Sequence, residues 1–520
     1  MKAAAVDPAR RAELTATAPR TREVVVVGAG IVGVCTAHAL REAGLRVTVV
    51  EARQEVALET SFANAGRFCP TLLSTYPLSN PSTLKSLVSI KNLKTLVAPS
   101  RKGGDEQSQG PGSTSNPDAV ALKSTGALPS TTELSLDVIR WGAHFVRGCT
   151  QKQTEAKNAI FRRLSHLCQD STSALIAQFP NRAASVDLRF DNVWVYGSQE
   201  ALEQGVQRAQ KASGAGFKHW NQLSCQACIS TFPFLESYFD KMIAQGMEPG
   251  CVAVLDDYTA NAHKFTAEVR SLCERGPLPV RFHFGQRIRS VSETSAGSRR
   301  LRVVLTSSGD AGGVTTSTLE ADHVVLCCGP STNAVQRELG MTALPMVGLR
   351  GASIDLHGVE YGPRAGIADY VSGDLGFQLT PLEDGTVRLA GFADLIGDGS
   401  TPVTEAQCER YGTALKTRAR LLFPHMTWTE ESTPWSGVRP MTPDSLPYTG
   451  RAPGPLPNIW VNAGHGPVGW TMAAGTARIL AHQLATADGL SYAGESDFLR
   501  YGLEREAPAF SPSRFLVFGH

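Results

Sequence analysis

The sequence predicts an α/β fold: a Rossmann-like dinucleotide-binding domain built from discontinuous segments, plus an α+β domain with a mainly antiparallel sheet. Three observations predict it. A glycine-rich turn follows a valine-rich strand near the start of the chain. Two more buried strands, each ending in a Gly-containing turn, lie in the middle and near the end. Between them, a series of short strand-like runs indicates an antiparallel sheet. At 520 residues, the chain is long enough for more than one domain.

The first motif is VVVVGAGIVGVCTAHALREAGLRVTVVE, residues 24–51. Four consecutive valines suit a strand that is buried on both faces of a parallel sheet. Gly28, Gly30 and Gly33 form a Gly-x-Gly-x-x-Gly turn at the start of a helix. Glu51 ends the next strand, 21 residues after Gly30, where a carboxylate can accept hydrogen bonds from both adenosine ribose hydroxyls. The pattern favours dinucleotide binding over the alternative, a tight βα turn without a ligand.

Other motifs follow in order along the chain. Residues 59–66 read ETSFANAG, a segment of small residues. Residues 322–330 predict a buried strand ending at Gly329, where backbone can approach a dinucleotide; a plain strand-terminating turn is the alternative. Residues 437–444 read GVRPMTPD, and residues 464–472 read GHGPVGWTM at the start of a helix. A Gly-rich turn at a helix amino terminus suits an anion or polar ligand, since free N–H groups point there.

The remaining pattern predicts elements of both domains. Residues 134–179 predict amphipathic helix with Leu136, Ile139, Phe145 and Val146 on one side. The expected strands are 189–196, 252–255, 348–356, 376–380, 387–392 and 458–462, with a hairpin over 280–291 and 300–306. The expected helices are 201–246 around a Phe-Pro-Phe sequence, 256–273 and 407–422. Residues 101–132 are rich in Gly, Ser, Pro and Thr, which predicts a surface insertion or disordered loop.

Composition excludes several classes of protein. The formal net charge is +2, and no dense Lys/Arg block suggests a nucleic-acid partner. The longest apolar run, residues 24–35, is too short to span a membrane. Residues 1–22 contain five Lys/Arg residues but no apolar core for a secretory signal, so we expect a cytoplasmic or mitochondrial protein, not a secreted one. A disordered extension is the alternative to a mitochondrial presequence.

Cysteine usage predicts reduced thiols. The eleven cysteines are an odd number, scattered and mostly within apolar runs, which favours a reducing compartment over a disulfide framework. Cys225-x-x-Cys228 is an isolated pair without a second Cys/His pair at zinc-finger spacing. Two ordinary thiols are therefore favoured over half a zinc site, and no metal-ligand set is predicted.

Taken together, the fingerprint and the three motifs at 59–66, 437–444 and 464–472 resemble the bacterial D-amino acid dehydrogenases. More widely, they resemble the FAD-dependent D-amino acid oxidase, glycine oxidase and sarcosine oxidase superfamily. The resemblance covers roughly residues 24–75, 250–353 and 385–485. It implies an FAD-binding domain built from residues 23–95, 250–345 and 431–490, and a substrate-binding domain built from residues 133–249 and 346–430. A flexible extension at 1–22, a low-complexity insertion at 101–132 and a C-terminal tail at 491–520 complete the division.

The resemblance implies FAD as cofactor, with the ADP half held at the fingerprint and the flavin half at the later motifs. Ile288 stands where the family has a strand valine that pairs with adenine through its backbone, and Gly329 would approach the pyrophosphate. The implied FAD-binding residues are Gly28, Ala29, Gly30, Ile31, Val32, Gly33, Glu51, Ala52, Ser61, Asn64, Ala65, Gly66, Ile288, Gly329, Gly464, Gly466, Val468 and Gly469.

The resemblance also implies how substrate is bound. Arg439 occupies the Gly-x-Arg-Pro position whose arginine binds the substrate carboxylate; a buried structural ion pair is the alternative. His465 is either catalytic or a structural hydrogen-bonding histidine. Glycine oxidases carry a second arginine where this chain has Pro467, which argues against that activity. Arg350, where the dehydrogenases more often have lysine, is a weaker candidate for a flavin or substrate contact.

The implied reaction is oxidative deamination of D-amino acids to 2-oxo acids and ammonia, by hydride transfer from Cα to flavin N5. The dehydrogenase relatives pass electrons to quinone, so a peripheral membrane contact is compatible with the lack of a span. One alternative is an oxidase of N-methyl or other secondary amino acids that uses oxygen. Another is a catalytically silent FAD-binding assembly factor. A nicotinamide-dependent reductase is disfavoured, because no second Gly-x-Gly-x-x-Gly is present.

Overall fold

The computed structural model describes residues 21–74, 136–308, 313–371, 377–397, 402–490 and 500–516. The predicted extension at 1–20 and the predicted insertion at 101–132 lie outside these ranges. The strands are β1 Glu23–Val27, β2 Arg46–Val50, β3 Arg67–Phe68, β4 Asn192–Tyr196, β5 Trp220–Leu223, β6 Gly250–Val254, β7 Tyr258–Thr259, β8 Arg281–His283, β9 Gln286–Glu293, β10 Leu301–Ser308, β11 Val314–Ala321, β12 His323–Leu326, β13 Val347–His357, β14 Gly366–Asp369, β15 Phe377–Pro381, β16 Val387–Leu395, β17 Glu430–Glu431, β18 Trp435–Met441, β19 Tyr448–Arg451 and β20 Ile459–Ala463.

Helices connect and cover these strands. The α-helices are α1 Ile31–Glu42, α2 Pro70–Leu73, α3 Leu136–Gly148, α4 Gln151–Ile176, α5 Gln199–Ser213, α6 Cys225–Thr231, α7 Glu236–Ala244, α8 Ala262–Cys273, α9 Thr332–Glu338, α10 Glu405–Leu422, α11 Gly469–Ala487 and α12 Ala507–Phe510. Among the residues described, no helix is both long and apolar enough to cross a bilayer.

A six-stranded sheet in the order β19-β20-β12-β1-β2-β8 forms the Rossmann-like part. All its neighbours run parallel except β19 and β20. Its central strand is buried on both faces: Val24 and Val26 pack with α1 and α11, whereas Val25 and Val27 pack towards β9 and β10. This arrangement explains the four-valine run and confirms the predicted parallel sheet built from both ends of the chain.

A nine-stranded sheet forms the second part, with the order β17-β13-β16-β15-β14-β4-β6-β5 and β18 paired to β13. It is antiparallel except where β14 pairs with β4, so the predicted mainly antiparallel sheet is confirmed. Apolar residues on one face pack against α7 and α10. The opposite face carries Ser353, Gln378, Thr380 and Arg388 and lies against residues 63–67.

Two strands belong to a different sheet from the one expected. β6 and β18 fall within the ranges 250–345 and 431–490 that were assigned to the FAD-binding domain, but both pair within the nine-stranded sheet. Their partners, β4 and β13, are far from them in sequence, so local patterning could not reveal the pairing. The domain boundaries themselves stay a prediction.

Several expected elements differ in detail. The stretch 134–179 forms two helices, α3 and α4, and its predicted apolar side is wrong: Leu136 is 84% exposed, and Ile139 and Val146 are also exposed. Of the four predicted residues only Phe145 is buried, and Val138, which was not among them, is buried as well. The helix expected from 256 begins at 262, because 258–259 pair with β3 and Asn261 caps the helix. The hairpin over 280–306 divides at Gly285: β8 joins the parallel sheet, and β9 pairs with β10.

The expectation that all cysteines are reduced is wrong for one pair. Cys228 on α6 and Cys251 on β6 form a disulfide across 23 residues of sequence. The other nine cysteines, including Cys225, are free thiols. The prediction of two ordinary thiols is therefore confirmed for Cys225 and wrong for Cys228, which α6 turns towards Cys251 on β6.

A buried ionic cluster joins the helices to the nine-stranded sheet. Arg418 on α10 pairs with Asp369 at the end of β14, and both side chains are almost fully buried. The Tyr238 hydroxyl from α7 donates to the same carboxylate at 2.9 Å. A buried charge without its partner costs several kcal/mol, so removing one member is far more harmful than losing a surface pair.

We therefore expect Arg418→Met to lower the free energy of unfolding by roughly 3–5 kcal/mol, because the Asp369 carboxylate is left buried without its cation. Urea unfolding at pH 7 measures the change. Lys416→Met, on the same helix, removes a partly exposed pair with Glu431 and should cost less than about 1 kcal/mol. Equal losses in the two variants would contradict the assignment of Arg418 to this cluster.

Candidate active site

The turn between β1 and α1 requires glycine at two positions. Gly28 has φ +103°, and a Cβ there would lie 2.6 Å from the Cys327 carbonyl oxygen at the end of β12. A Cβ at Gly33 would lie 1.9 Å from the Gly28 carbonyl oxygen. These contacts bring the carboxyl ends of β1 and β12 and the start of α1 together, the place where ligands bind in open parallel sheets.

Gly30 leaves space at the amino terminus of α1. It is the N-cap residue and has no side chain to cap the helix. A Cβ there would meet one described atom within 4 Å, the Ser61 Oγ at 3.5 Å. Ser61 Oγ also accepts a hydrogen bond from the Ile31 N–H at 3.1 Å. A helix amino terminus with open space beside a glycine fits a pyrophosphate group, which the first-turn N–H groups can bind.

The position of Glu51 also fits the adenosine half of FAD. It directly follows β2, and its carboxylate accepts hydrogen bonds from the backbone N–H of Ala29 at 2.6 Å and of Arg53 at 2.8 Å. The Glu51 carbonyl accepts from Gln286, the first residue of β9, so this carboxylate, Ala52 and the Ile288 strand lie side by side. Gly329 follows β12 and has φ +53° with open space at its Cβ position.

Strand β18 connects the other motifs. The Thr60 hydroxyl donates to the Val438 carbonyl at 2.7 Å, which joins the 59–66 segment to β18. At the other end of β18, Met441 forms a β-bridge with His465. A Cβ at Gly464 would lie 2.5 Å from the Thr442 side chain, so this turn approaches β18 closely. The structure thus brings the 59–66 and 464–472 motifs to the strand that carries the 437–444 motif, and the hydrogen bond from Ile31 to Ser61 connects the 59–66 segment to the fingerprint.

Residues 63–66 lie across the polar face of the nine-stranded sheet. The Ser353 hydroxyl donates to the Ala63 carbonyl at 2.6 Å, and the Thr380 hydroxyl donates to the Ala65 carbonyl at 2.7 Å. Arg388 donates to the Asn64 carbonyl at 3.2 Å. The segment is therefore fixed by side chains from three adjacent strands, β13, β16 and β15, which leaves its backbone in a defined position.

Two features hold the 63–66 segment in shape. Arg388 makes two 2.7 Å contacts with the Asp355 carboxylate, so its charge is paired. Gly66 has φ +68°, and a Cβ there would lie 2.9 Å from the Ala260 carbonyl oxygen. The Gly66 N–H donates to the Asn64 side-chain oxygen at 2.9 Å. Only glycine meets both the steric and the conformational requirement.

Arg439 lies on the same polar face. Its partner in register on β13 is Leu349, and its guanidinium covers Gly351, where a Cβ would lie 2.2 Å from Nη2. Nη1 donates to the Phe392 carbonyl at 3.1 Å. Phe392 has φ +66° beside an irregularity in the β13–β16 pairing, a conformation that non-glycine residues adopt at an energetic cost. This backbone irregularity turns a carbonyl towards the guanidinium.

Arg350 lies towards α10, on the opposite face. It is buried and in register with Asp394. Burial raises the pKa of the Asp394 carboxyl group, and the hydrogen bond from Tyr411 and the charges of Arg350 and Arg439 oppose that effect in part. Tyr411 of α10 donates a hydrogen bond to Asp394 as well. These contacts favour a structural role for Arg350 over the flavin or substrate contact considered for it.

His465 is held inside the fold. Its Nε2 is 2.9 Å from the Thr476 Oγ1 of α11. Burial lowers the pKa of His465 from 6.5 to about 3, so the imidazole is neutral at neutral pH. The geometry favours the structural alternative for its side chain. Val468 and Gly469 continue the turn into α11, with Val468 as the N-cap.

Four side chains that organise this face were not among the predicted site residues: Thr60, Ser353, Thr380 and Arg388. Their positions in sequence gave one weak signal, since Arg388 is a charged residue beside the apolar run Leu389–Ala390 of its strand. The hydroxyl groups carry no signal of their own, because hydroxyl side chains are common in strands. The site assignments to FAD and substrate stay predictions that this geometry fits.

Comparison with known proteins agrees with this picture. A family model described as FAD dependent oxidoreductase (DAO) matches residues 23–483. The D-amino acid dehydrogenase of Cereibacter sphaeroides is 29% identical over 495 residues, covering 93% of this chain and 95% of that protein. The D-amino acid dehydrogenase of Paramagnetospirillum magneticum is 28% identical over 460 residues, covering 88% and 94%. The crystal structure of glycine oxidase from Geobacillus kaustophilus has the same fold, with a TM-score of 0.57 at 16% identity, covering 90% of this chain and 95% of that chain.

Gly30→Val tests the cofactor site. A Cβ at this position makes only an ordinary contact with the Ser61 Oγ, at 3.5 Å, but the valine side chain would occupy the space that a pyrophosphate group needs at the amino terminus of α1. We therefore expect FAD affinity to fall at least about 100-fold, roughly 3 kcal/mol. Flavin absorbance of the purified protein and FAD titration of the apoprotein measure the change. Gly142→Val, on α3, serves as the control for helix propensity. Wild-type flavin content in Gly30→Val would contradict the site.

The pH dependence of stability tests the environment of His465. Below pH 6.5 this histidine takes up a proton in the unfolded chain, whereas the folded state takes up none until about pH 3. Stability is therefore lost as the pH falls, by up to about 1.4 kcal/mol per pH unit for this group. In His465→Gln, the loss of unfolding free energy between pH 7 and pH 5 should be smaller by about 2 kcal/mol.

Urea unfolding at the two pH values measures this difference. His425→Gln replaces an exposed histidine and serves as the control. If His465→Gln and wild type lost the same free energy on acidification, the buried, neutral imidazole would be disproved.

Proposed function

Since the chain belongs to the FAD dependent oxidoreductase family and is an FAD-dependent oxidoreductase enzyme, we propose that it oxidises D-amino acids to 2-oxo acids and ammonia. Two lines of support favour this substrate class. The relatives from Cereibacter sphaeroides and Paramagnetospirillum magneticum, each aligned over most of both chains, are D-amino acid dehydrogenases. In addition, the site presents Arg439 on the sheet face that carries the 63–66 segment.

The position of Arg439 is the observation on which the proposal rests. A planar guanidinium binds a carboxylate through two parallel hydrogen bonds, which fixes the orientation of the bound acid. Gly351 beneath the guanidinium and the Phe392 carbonyl beside it hold the fork in one place. A carboxylate bound there would place the Cα of an amino acid beside the segment that the resemblance assigns to flavin.

The fingerprint and the 63–66 segment would hold FAD, which would supply the electron-accepting chemistry, the uptake of a hydride from the substrate Cα at flavin N5. As the Cα–H bond breaks, the lone pair of the neutral amine forms the C=N bond of an imino acid. Water then adds to the imino acid, giving the 2-oxo acid and ammonia. The chain contributes orientation of the carboxylate through Arg439 and a rigid backbone at 63–66. No protein acid or base is required, in keeping with the neutral, buried His465.

We further propose that the electrons pass to an acceptor other than oxygen, such as a quinone, as in a dehydrogenase. This part is supported by the names of the relatives alone. Mixing reduced enzyme with oxygen or with a soluble quinone, and following flavin reoxidation, separates a dehydrogenase from an oxidase. Faster reoxidation by oxygen than by the quinone would contradict this part of the proposal.

An anaerobic flavin-bleaching screen tests the substrate class. We expect D-amino acids to bleach the bound flavin faster than their L-enantiomers or N-methyl amino acids. Bleaching by N-methyl amino acids alone would favour an oxidase of secondary amines. Stable FAD with no bleaching by any of these compounds would favour a catalytically silent flavoprotein.

Arg439→Ala tests the carboxylate ligand. We expect kcat/KM for the best D-amino acid to fall roughly 10²- to 10⁴-fold, because a buried hydrogen-bonded charge pair with the substrate is lost, while FAD stays bound. Steady-state kinetics with a dye acceptor and flavin absorbance measure the two properties. Arg410→Ala, an exposed arginine on α10, is the control. Unchanged kinetics in Arg439→Ala would exclude Arg439 as the carboxylate ligand.

A further inference from the structure

Arg67 is a second arginine on the polar face of the nine-stranded sheet. It follows Gly66 directly and begins β3, which pairs with β7. Its Nη1 donates to the Gln378 side-chain oxygen on β15 at 3.1 Å. Gln378 pairs with Ala390 on β16, and Ala390 pairs with Ser353 on β13, so these three residues lie on one face of the sheet. Arg439 lies on the same face, because it is in register with Leu349, four residues before Ser353 on β13.

The guanidinium of Arg67 has unused hydrogen-bond donors. Its Nε and Nη2 atoms are buried, and neither makes a well-aligned hydrogen bond to a described residue, although the Tyr370 side chain is in polar contact with the guanidinium. No carboxylate of the described chain lies within 4 Å of it, whereas neighbouring Arg388 is paired with Asp355 through two 2.7 Å contacts. A buried cation with donors to spare is costly unless an anion or a water molecule binds it.

The surroundings of Arg67 keep it charged. Burial acts to lower the pKa of the guanidinium, but the electrostatic effects of Cys69, Tyr370 and Asp257, together with the polar contact with the Tyr370 side chain, outweigh it and raise the pKa. Asp257 acts on Arg67 without a direct hydrogen bond: its Oδ1 accepts from the Thr71 N–H at 2.9 Å, and its Oδ2 has no hydrogen-bond partner among the described residues. Burial also raises the pKa of Asp257 to about 6, so the carboxyl group is partly protonated near neutral pH.

The sheet between the two arginines carries small residues. Gly351 lies under Arg439, and Ala390 is beside Gln378, the partner of Arg67. Phe392, which follows Gly391 on β16, packs its ring on Tyr411 of α10 with 4.6 Å between ring centroids, so its ring lies towards that helix. Gln378 on β15 is level with Ser353 on β13, and Gly351 lies two residues farther along β13. The two contact points are therefore two strand spacings apart across the sheet and two residues apart along it, roughly 12 Å.

We propose that Arg67 is a second anion-binding residue of the substrate site and selects amino acids with an acidic side chain. The α-carboxylate would bind to Arg439 and the side-chain carboxylate to Arg67, above the floor of Gly351 and Ala390. Two carboxylates a few carbons apart, each hydrogen-bonded at about 2.8 Å, span a gap of roughly this size. The inference rests on the proposed function for the identity of the substrate.

Isosteric pairs of substrates test the inference in the FAD-loaded enzyme. We expect wild type to prefer D-glutamate over D-glutamine, and D-aspartate over D-asparagine, by roughly 100-fold in kcat/KM. Arg67→Gln should abolish that preference, chiefly through a higher KM for the acids, while the amides change little. Arg67→Lys, which keeps the charge but not the fork, should retain part of it. Unchanged selectivity in Arg67→Gln, or a wild-type preference for the amides, would overturn the inference.

A binding measurement keeps the test independent of turnover. Glutarate and butyrate are titrated into oxidised enzyme, and the flavin absorption spectrum is followed. Wild type should bind the dicarboxylate at least roughly 10-fold more tightly than the monocarboxylate, and Arg67→Gln should lose this difference. Equal affinities in wild type would overturn the inference even if Arg67→Gln failed to fold.

Arg189→Gln is the matched control. Arg189 forms a β-bridge with Thr259, the residue that pairs with Arg67 on the other side, and its Nε is also buried without a described partner. We expect this variant to change stability without changing selectivity; equal loss of selectivity in both variants would overturn the role of Arg67.

If wild type bleaches with no D-amino acid but still distinguishes glutarate from butyrate, the proposed function fails while the anion site stands. If neutral D-amino acids bleach the flavin and acidic ones are not preferred, the proposed function stands while the anion site fails.

Discussion

The antiparallel pairing of β18 with β13 is the constraint on which the candidate site depends. β18 belongs to the nine-stranded sheet through seven residue pairs in register, from Trp435 with Ser353 to Met441 with Val347. The same strand contacts segments outside this sheet: the Val438 carbonyl accepts a hydrogen bond from the Thr60 hydroxyl, and Met441 forms a β-bridge with His465. One strand therefore fixes the carboxylate-binding candidate, the 59–66 segment and the Gly-His-Gly turn relative to one another.

Close backbone approach is the second physical theme. Gly28, Gly66 and Gly351 each lie where a Cβ would come within 3 Å of another group, and each allows one segment of the site to approach another. Phe392 differs from these glycines, because it adopts a positive φ despite its side chain, and this conformation turns its carbonyl towards Arg439. Strain of this kind is found where the surrounding structure over-determines a geometry, as at ligand-binding positions.

Local patterns predicted much of this molecule. The valine run, the glycine turn and Glu51 are specified within 28 consecutive residues, so strand, helix and strand could be predicted together. Contacts between distant segments could not. The disulfide between Cys228 and Cys251, the membership of β18 in the larger sheet and the contact of Arg67 with Gln378 all depend on residues brought together by tertiary structure. The predicted buried side of α3 was also mostly wrong, because hydrophobic periodicity shows that a helix has an apolar side but does not show which side packs against the rest of the fold.

The most direct test is a crystal structure of the FAD-loaded enzyme with a bound non-oxidisable acid such as propionate. The account predicts the carboxylate in two-point contact with Arg439, at N–O distances of about 2.8 Å, beside the flavin and the 63–66 segment. A carboxylate bound elsewhere, with the Arg439 guanidinium still on the Phe392 carbonyl, would contradict it.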